Sequence, residues 1–297
     1  MLSTLSLALS PMLSLTQSLG SSLRSSLRSS LCLSFKVALL IGATNLAYLN
    51  IAVAAPEAAP FLVPDRPGYS DSIFTVLPGR WHVELGAALT PDDTLGATIL
   101  TRYGLSKRWE LRLALPTLTQ AFAASEADAL NPDPETPEAT FGGASLGAKV
   151  AYGHRNLKGS TVLMIGLPTS GGDIAINPDP ILSLKSQLEH PLDRHLSVNI
   201  ALHVALFDET VPAVESAYGG ELDWLFGAVG AVSWSEIDWS LYTQGGGELI
   251  AGQLTPLVGI GGTLRLAYNA QIDLSLNAPL SPDGVTPRYD MGFTLGW

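Results

Sequence analysis

The stretch from Arg288 to Trp297 alternates strictly. Tyr289, Met291, Phe293, Leu295 and Trp297 are large and apolar, while Asp290, Gly292, Thr294 and Gly296 between them are small or polar. A two-residue period is that of a β-strand with one apolar face. Such a strand ending on Trp297 leaves edges of unpaired N–H and C=O groups, and closing the sheet into a barrel removes them. Strands of about ten residues, apolar on one face and ended by an interfacial aromatic, are the unit of an outer-membrane barrel. The expected fold is therefore all-β: an antiparallel, up-and-down transmembrane β-barrel of about twelve strands after an N-terminal signal peptide. Tyr289, Phe293, Leu295 and Trp297 are its expected assembly signal, read by the barrel-assembly machinery.

The first 54 residues contain no Asp or Glu, and their only charges are Arg24, Arg28 and Lys36. An apolar run over 37–54 follows, ending in Ala52-Val53-Ala54 ahead of Ala55-Pro56-Glu57. A basic region, an apolar region and an A-x-A site form a secretory signal cleaved near Ala54. The leader is long, and Ser21-Ser22-Leu23-Arg24 is echoed in Ser25-Ser26-Leu27-Arg28, so Met12 is an alternative start. An uncleaved anchor helix is the rival reading, against which Asn45 and Asn50 interrupt the apolar run.

Removing the leader's three cations from 16 basic residues leaves 13 against all 27 acidic ones, a mature charge of −14. Such a chain has no clustered Lys and Arg with which to seek nucleic acid or an anionic surface. The mature part also has no cysteine, since the single one is Cys32. Residues 55–79, with prolines at 56, 60, 64, 67 and 78, read as an irregular lead-in to a barrel domain spanning 80–297.

Apolar faces then recur in pairs along the chain. They open at Trp81, Leu95, Trp109, Ala144, Leu163, Leu182, Leu196, Leu222, Ile237, Val258 and Ile272, and the terminal strand makes twelve. A soluble sandwich or lipocalin-like barrel would alternate too, so the connections decide. The even-to-odd connections, 104–107, 153–159, 191–193, 235–236 and 268–269, are short. The odd-to-even ones at 117–140, 169–179, 208–221 and 281–287 are longer, with 90–93 and 251–252 as short exceptions. Two loop classes on two sides are what a membrane imposes.

The opposite face of these strands carries both charge signs. Glu84, Arg102, Glu110, Arg112, Lys149, Lys185, His203, Asp238, Arg265, Asp273 and Asp290 are candidate lumen-lining residues for a constricted, wet passage. Cross-strand salt bridges filling a narrow barrel are the alternative, because an inward charge must be wet or paired. The five histidines make no zinc spacing and offer no Ser–His pair at a rim. No cofactor, metal or catalytic residue is expected.

Two stretches carry a family resemblance. One is Asp65-Arg66-Pro67-Gly68-Tyr69-Ser70-Asp71-Ser72 followed by Leu77-Pro78-Gly79-Arg80-Trp81-His82-Val83-Glu84; the other is Arg102-Tyr103-Gly104-Leu105-Ser106-Lys107-Arg108-Trp109-Glu110-Leu111-Arg112. Over 65–116 the chain resembles a family of outer-membrane barrels labelled as transporters of the phenol meta-degradation pathway. That resemblance implies passage of small, often aromatic or hydrophobic compounds. The expectation is a non-enzymatic barrel of the bacterial outer membrane for passive or facilitated uptake of a small-molecule solute, embedded in outer-membrane lipids and binding no nucleic acid. A plugged structural or binding barrel is the alternative, and a surface lipid-modifying enzyme a third.

Overall fold

The structure is a computed structural model that describes residues 62, 64–65, 71–89, 94–121, 140–141, 143–154, 156–167, 182–207, 224–250, 253–281, 284–285 and 287–297. The leader, residues 1–54, lies outside them. Twelve long strands follow in order: β1 (Trp81–Leu89), β2 (Thr94–Gly104), β3 (Trp109–Ala121), β4 (Ser145–His154), β5 (Leu157–Gly166), β6 (Leu182–Pro191), β7 (Leu196–Leu206), β8 (Trp224–Ser235), β9 (Trp239–Ile250), β10 (Gln253–Ala267), β11 (Ala270–Ser281) and β12 (Arg288–Gly296). Two-residue strands at Thr140–Phe141 and Gly284–Val285 pair with β3 and β11.

Each strand pairs antiparallel with the next, and β12 returns to β1 from His82↔Gly296 to Leu89↔Tyr289. Closure ends in a mutual pair of backbone hydrogen bonds, Trp81 N–H to the Trp297 carbonyl and Trp297 N–H to the Trp81 carbonyl, each 3.0 Å. Among the described residues the sheet thus has no long free edge, as expected of a strand that must satisfy its backbone in hydrocarbon.

Alternation decides which residues meet which medium. On β1 the even positions His82 and Glu84 are fully buried inside, while Trp81, Leu85 and Leu89 are exposed outside. On β7 Ile200 is 59% exposed and its neighbour Ala201 is buried. A wall studded with exposed Leu, Ile and Trp aggregates in water and is at rest in lipid. Indole rings mark one end of this wall. Trp81, Trp109, Trp234, Trp239 and Trp297 all sit at or beside the short turns, and Trp224 alone starts its strand at the other end. Tyr103 joins them, its ring 4.6 Å from that of Trp81. Amphipathic rings belong at the headgroup boundary, so this end marks one interface.

Strand ends depart from the sequence reading where local signals compete with pairing. β3 runs on to Ala121, past the expected loop start at Thr117. Pro116 cannot donate to a ladder, and the register slips opposite it, between Ala97 and Ile99, so that the strand continues around the proline. β5 starts at Leu157, taking Lys158 and Gly159 out of the expected turn, and the Tyr152 ring covers Gly159 closely enough to exclude a Cβ. Ile237, expected on the apolar face of the ninth strand, sits in the turn before β9 and is 80% exposed. The turn between β6 and β7 is held by Asp193, whose carboxylate accepts the backbone N–H groups of His195 and Leu196, both at 2.7 Å. Those two bonds favour its charged form and draw its pKa below the usual value.

The β1–β12 seam generates an expected outcome. Trp297→Ser removes an aromatic from the closing pair without touching an ion pair, so it should lower the amount of inserted barrel. Cell fractionation with boiled and unboiled gel samples measures this. Normal levels of heat-modifiable Trp297→Ser protein would count against an assembly role.

Candidate functional site

The lead-in is the part of the chain that the sequence left unplaced, and its described residues 62, 64–65 and 71–77 pack inside the barrel. Leu62, Asp65, Ile73, Thr75 and Val76 are all buried. Leu62 lies by His82 and Gly296 at the short-turn end, and the return leg leaves at the same end, where the Thr75 hydroxyl donates to the Lys107 carbonyl at 3.2 Å. Gly79 takes φ 74°, a left-handed conformation that suits glycine, as the chain turns into β1. Gly104 lies so close to the Leu77 carbonyl that a Cβ would collide with it.

A buried ion cluster fixes this segment. Arg102, fully buried, grips Glu110 with Nε at 2.7 Å and Nη2 at 2.8 Å, and reaches Glu84 with Nη1 at 2.6 Å. Both carboxylates also accept lead-in backbone N–H groups, Glu84 from Asp65 at 3.2 Å and Glu110 from Val76 at 2.8 Å. Asp65 in turn binds Arg112, the Lys149 Nζ at 2.8 Å, and Arg102 at 3.4 Å. Asp71 bridges Arg112 Nη1 at 3.2 Å and Lys185 Nζ at 3.0 Å. The Ser72 carbonyl accepts from the Gln187 amide and from the Ser160 hydroxyl. Burial pushes the Asp71 carboxyl up, but Lys185, Arg112 and Lys149 pull it further the other way, and the net pKa lies well below the usual carboxylate range.

The cluster balances in charge. The strands bring Arg102, Arg112, Lys149 and Lys185 against Glu84 and Glu110, and the lead-in supplies the two missing negatives as Asp65 and Asp71. Five of the residues expected to line a wet passage, Glu84, Arg102, Glu110, Arg112 and Lys149, are therefore brought together on one inner face. They pair around the inserted segment, because burial without partners would be costly for each, and of the five Arg112 alone also borders the cavity beyond the plug.

Above this plug, toward the long-loop end, lies a cavity of about 430 Å³. Asp71, Arg112, Lys185, His203, Asp273 and Asp290 all border it. Leu100, Val162, Met164, Ala201 and Val229 form an apolar part of its wall, with Glu248 and Asn277 as polar lining that the sequence reading missed. Asp290 accepts from Asn277 at 2.9 Å and Arg288 at 2.8 Å. Asp238 and Arg265 do not border the cavity. They lie 3.9 Å apart near the short turns, 69% and 33% exposed, because inward parity at a strand end points to the rim.

Asp65 and Asp71 escaped the sequence reading since the lead-in has no period to give its side chains a direction. One signal points to them: on β1 to β4 the inward cations Arg102, Arg112 and Lys149 outnumber the inward carboxylates Glu84 and Glu110, so a further negative partner had to come from outside those strands.

No protein-family model and no curated protein sequence matches this chain. Among solved structures it is similar to the COG4313 outer membrane channel from Pseudomonas putida F1, with a TM-score of 0.50 and 13% identity over 81% of this chain and 100% of that one. A NanC porin (TM-score 0.48, 7% identity) and a KdgM porin (TM-score 0.45, 10% identity) each match 72% of this chain and 98% of theirs. At such identities the likeness is one of fold; the closed ladder, with the first of these neighbours, defines this chain as a twelve-stranded antiparallel barrel of the outer-membrane type.

The cluster has an energetic signature. Arg102→Ala leaves Glu84 and Glu110 buried without their main counter-ion and should destabilise the barrel by roughly 3–5 kcal/mol, whereas Arg265→Ala at the exposed rim should cost less than about 1 kcal/mol. Guanidinium unfolding in micelles, followed by tryptophan fluorescence, compares the two.

Proposed function

We propose that this chain is a small-molecule channel of the bacterial outer membrane, reached through a secretory leader cleaved near Ala54, with residues 55–79 as an internal plug and 80–297 as the barrel. The observation that carries the reading is a cavity of about 430 Å³ inside a closed barrel whose outer wall is apolar. That volume falls within the range of small-ligand sites. Its lining is divided into an apolar part around Val162, Met164 and Val229 and a charged part around Arg112, Lys185 and Asp290, which suits solutes with an apolar body. Small hydrophobic or aromatic compounds are the class implied by the resemblance of residues 65–84 and 102–112 to the phenol meta-degradation family.

The surroundings follow from the same surface. Outer-membrane lipids face the exposed Leu and Trp wall, and the barrel-assembly machinery engages the β12 aromatics. On this reading the short-turn end faces the periplasm, as expected of outer-membrane barrels, where turns are short on that side.

A plugged structural barrel is the rival, and the closed four-against-four ion cluster favours it. Removing the plug's charges separates the two. In proteoliposome swelling with a small neutral sugar, the wild type should admit solute slowly and an Asp65→Ala/Asp71→Ala variant several-fold faster. Bilayers that stay sealed with both proteins would sink the channel reading.

A further inference from the structure

Asp71 does not sit among the strands' own acids. It is a carboxylate held at the cavity floor between a guanidinium and an ammonium, one oxygen on Arg112 Nη1 at 3.2 Å and the other on Lys185 Nζ at 3.0 Å. Among the described residues Asp71 is the only ion-pair partner of Lys185. Lys185 is 25% exposed and Asp71 10%, so the pair meets the cavity, in contrast to the fully buried Arg102–Glu110 pair behind it. Charge-assisted bonds from two cations to one carboxylate are a strong, oriented recognition unit.

The surroundings of this cradle match an apolar body attached to the acid group. Lys185 lies in register between Val162 and His203, and all three border the same cavity as Met164, Ala201 and Val229. The strands carry two more cations than carboxylates in the cluster, so the cradle needs a negative group whether or not Asp71 supplies it. Asp71 also lies six positions along the chain from the more deeply held Asp65, so its carboxylate can exchange while Asp65 keeps Arg112 and Lys149 paired.

We infer that the Arg112–Lys185 cradle is a carboxylate-recognition site of the lumen, held by Asp71 as an internal stand-in, and that its ligands are small carboxylates with an apolar or aromatic body. This deepens the channel reading above and rests on it for its place in uptake. The connections at the long-loop end carry Asp and Glu at 92–93, 126–138, 173–179 and 208–223 and no Lys or Arg. Acidic charge of that kind disfavours an anion, but over distances beyond about 10 Å it is largely screened at ordinary ionic strength, while the part-buried cradle is screened far less.

Isothermal titration calorimetry on the mature chain, refolded in micelles, tests the site with benzoate and with benzamide as its neutral counterpart. The wild type should bind benzoate at least about tenfold more tightly than benzamide, the scale of a charge-assisted contact. Lys185→Gln should erase that preference. Asp71→Asn should tighten benzoate several-fold and leave benzamide unchanged, because it removes the competing carboxylate; a purely structural Asp71 would give no such gain. Equal binding of the two probes, or a benzoate affinity unmoved by Asp71→Asn, overturns the proposal. Gel heat-modifiability confirms that each variant forms the barrel, and if Lys185→Gln does not, Asp71→Asn still decides. Calorimetry reads binding without conduction. A sealed bilayer with benzoate preference intact would refute the channel alone, and conduction without that preference would refute the cradle alone.

Discussion

The pairing of β12 with β1 is the contact on which the remaining architecture depends. Every other ladder joins strands that neighbour each other in sequence, so connections far shorter than the chain that separates β1 from β12 bring them together at a smaller entropic cost. The closing ladder joins residues about 200 positions apart, from His82↔Gly296 to Leu89↔Tyr289, and pays the largest loop-closure cost in the sheet. Without it both edges would expose unsatisfied N–H and C=O groups to hydrocarbon. With it the inner and outer faces are assigned for all twelve strands at once, because each side chain's direction follows from register alone. Glu84, paired in register with Thr294 on one side and Leu100 on the other, is thereby fixed inward.

The same logic explains why the barrel was legible in the sequence. Alternation at Tyr289, Met291, Phe293 and Leu295, or at Leu196, Val198, Ile200 and Leu202, reports two media on two faces, and a strand in a membrane wall cannot blur that pattern without cost. Strand count, chain order and the two classes of connection followed from it. The ends of strands were less legible, since a proline such as Pro116 ordinarily stops a ladder, and only the partner strand's register shift between Ala97 and Ile99 shows how it is accommodated. The inward direction of Arg102, Arg112 and Lys149 was readable from parity; what they touch was not. Their partners Asp65 and Asp71 sit in a segment whose direction is set by tertiary contacts rather than by any period.

Gathering eight formal charges in one cluster, six of them buried, is a poor way to gain stability, because desolvation offsets most of the Coulomb attraction. It is a good way to specify position. Arg102 can satisfy its fork only with Glu84 and Glu110 both in place, and each of those carboxylates has oxygens directed to a lead-in backbone N–H. An apolar plug could slide along a smooth inner wall. One held by Asp65 on Lys149 and Asp71 on Lys185 has a single register.

That register also makes the plug and the barrel one folding unit. The strand-borne part of the cluster carries two uncompensated positive charges before Asp65 and Asp71 arrive, so a closed barrel with an empty short-turn half is electrostatically strained. Relief comes from the lead-in or from any negative group able to reach the same cations. The two aspartates are not equivalent in this respect. Both border the cavity, but Asp65 contacts three cations with its side chain 2% exposed, whereas Asp71 touches two and is 10% exposed. Depth therefore divides the segment into a deep anchor, which keeps the barrel's lower half filled, and a shallow contact, where exchange with a solute leaves the anchor and the charge balance intact.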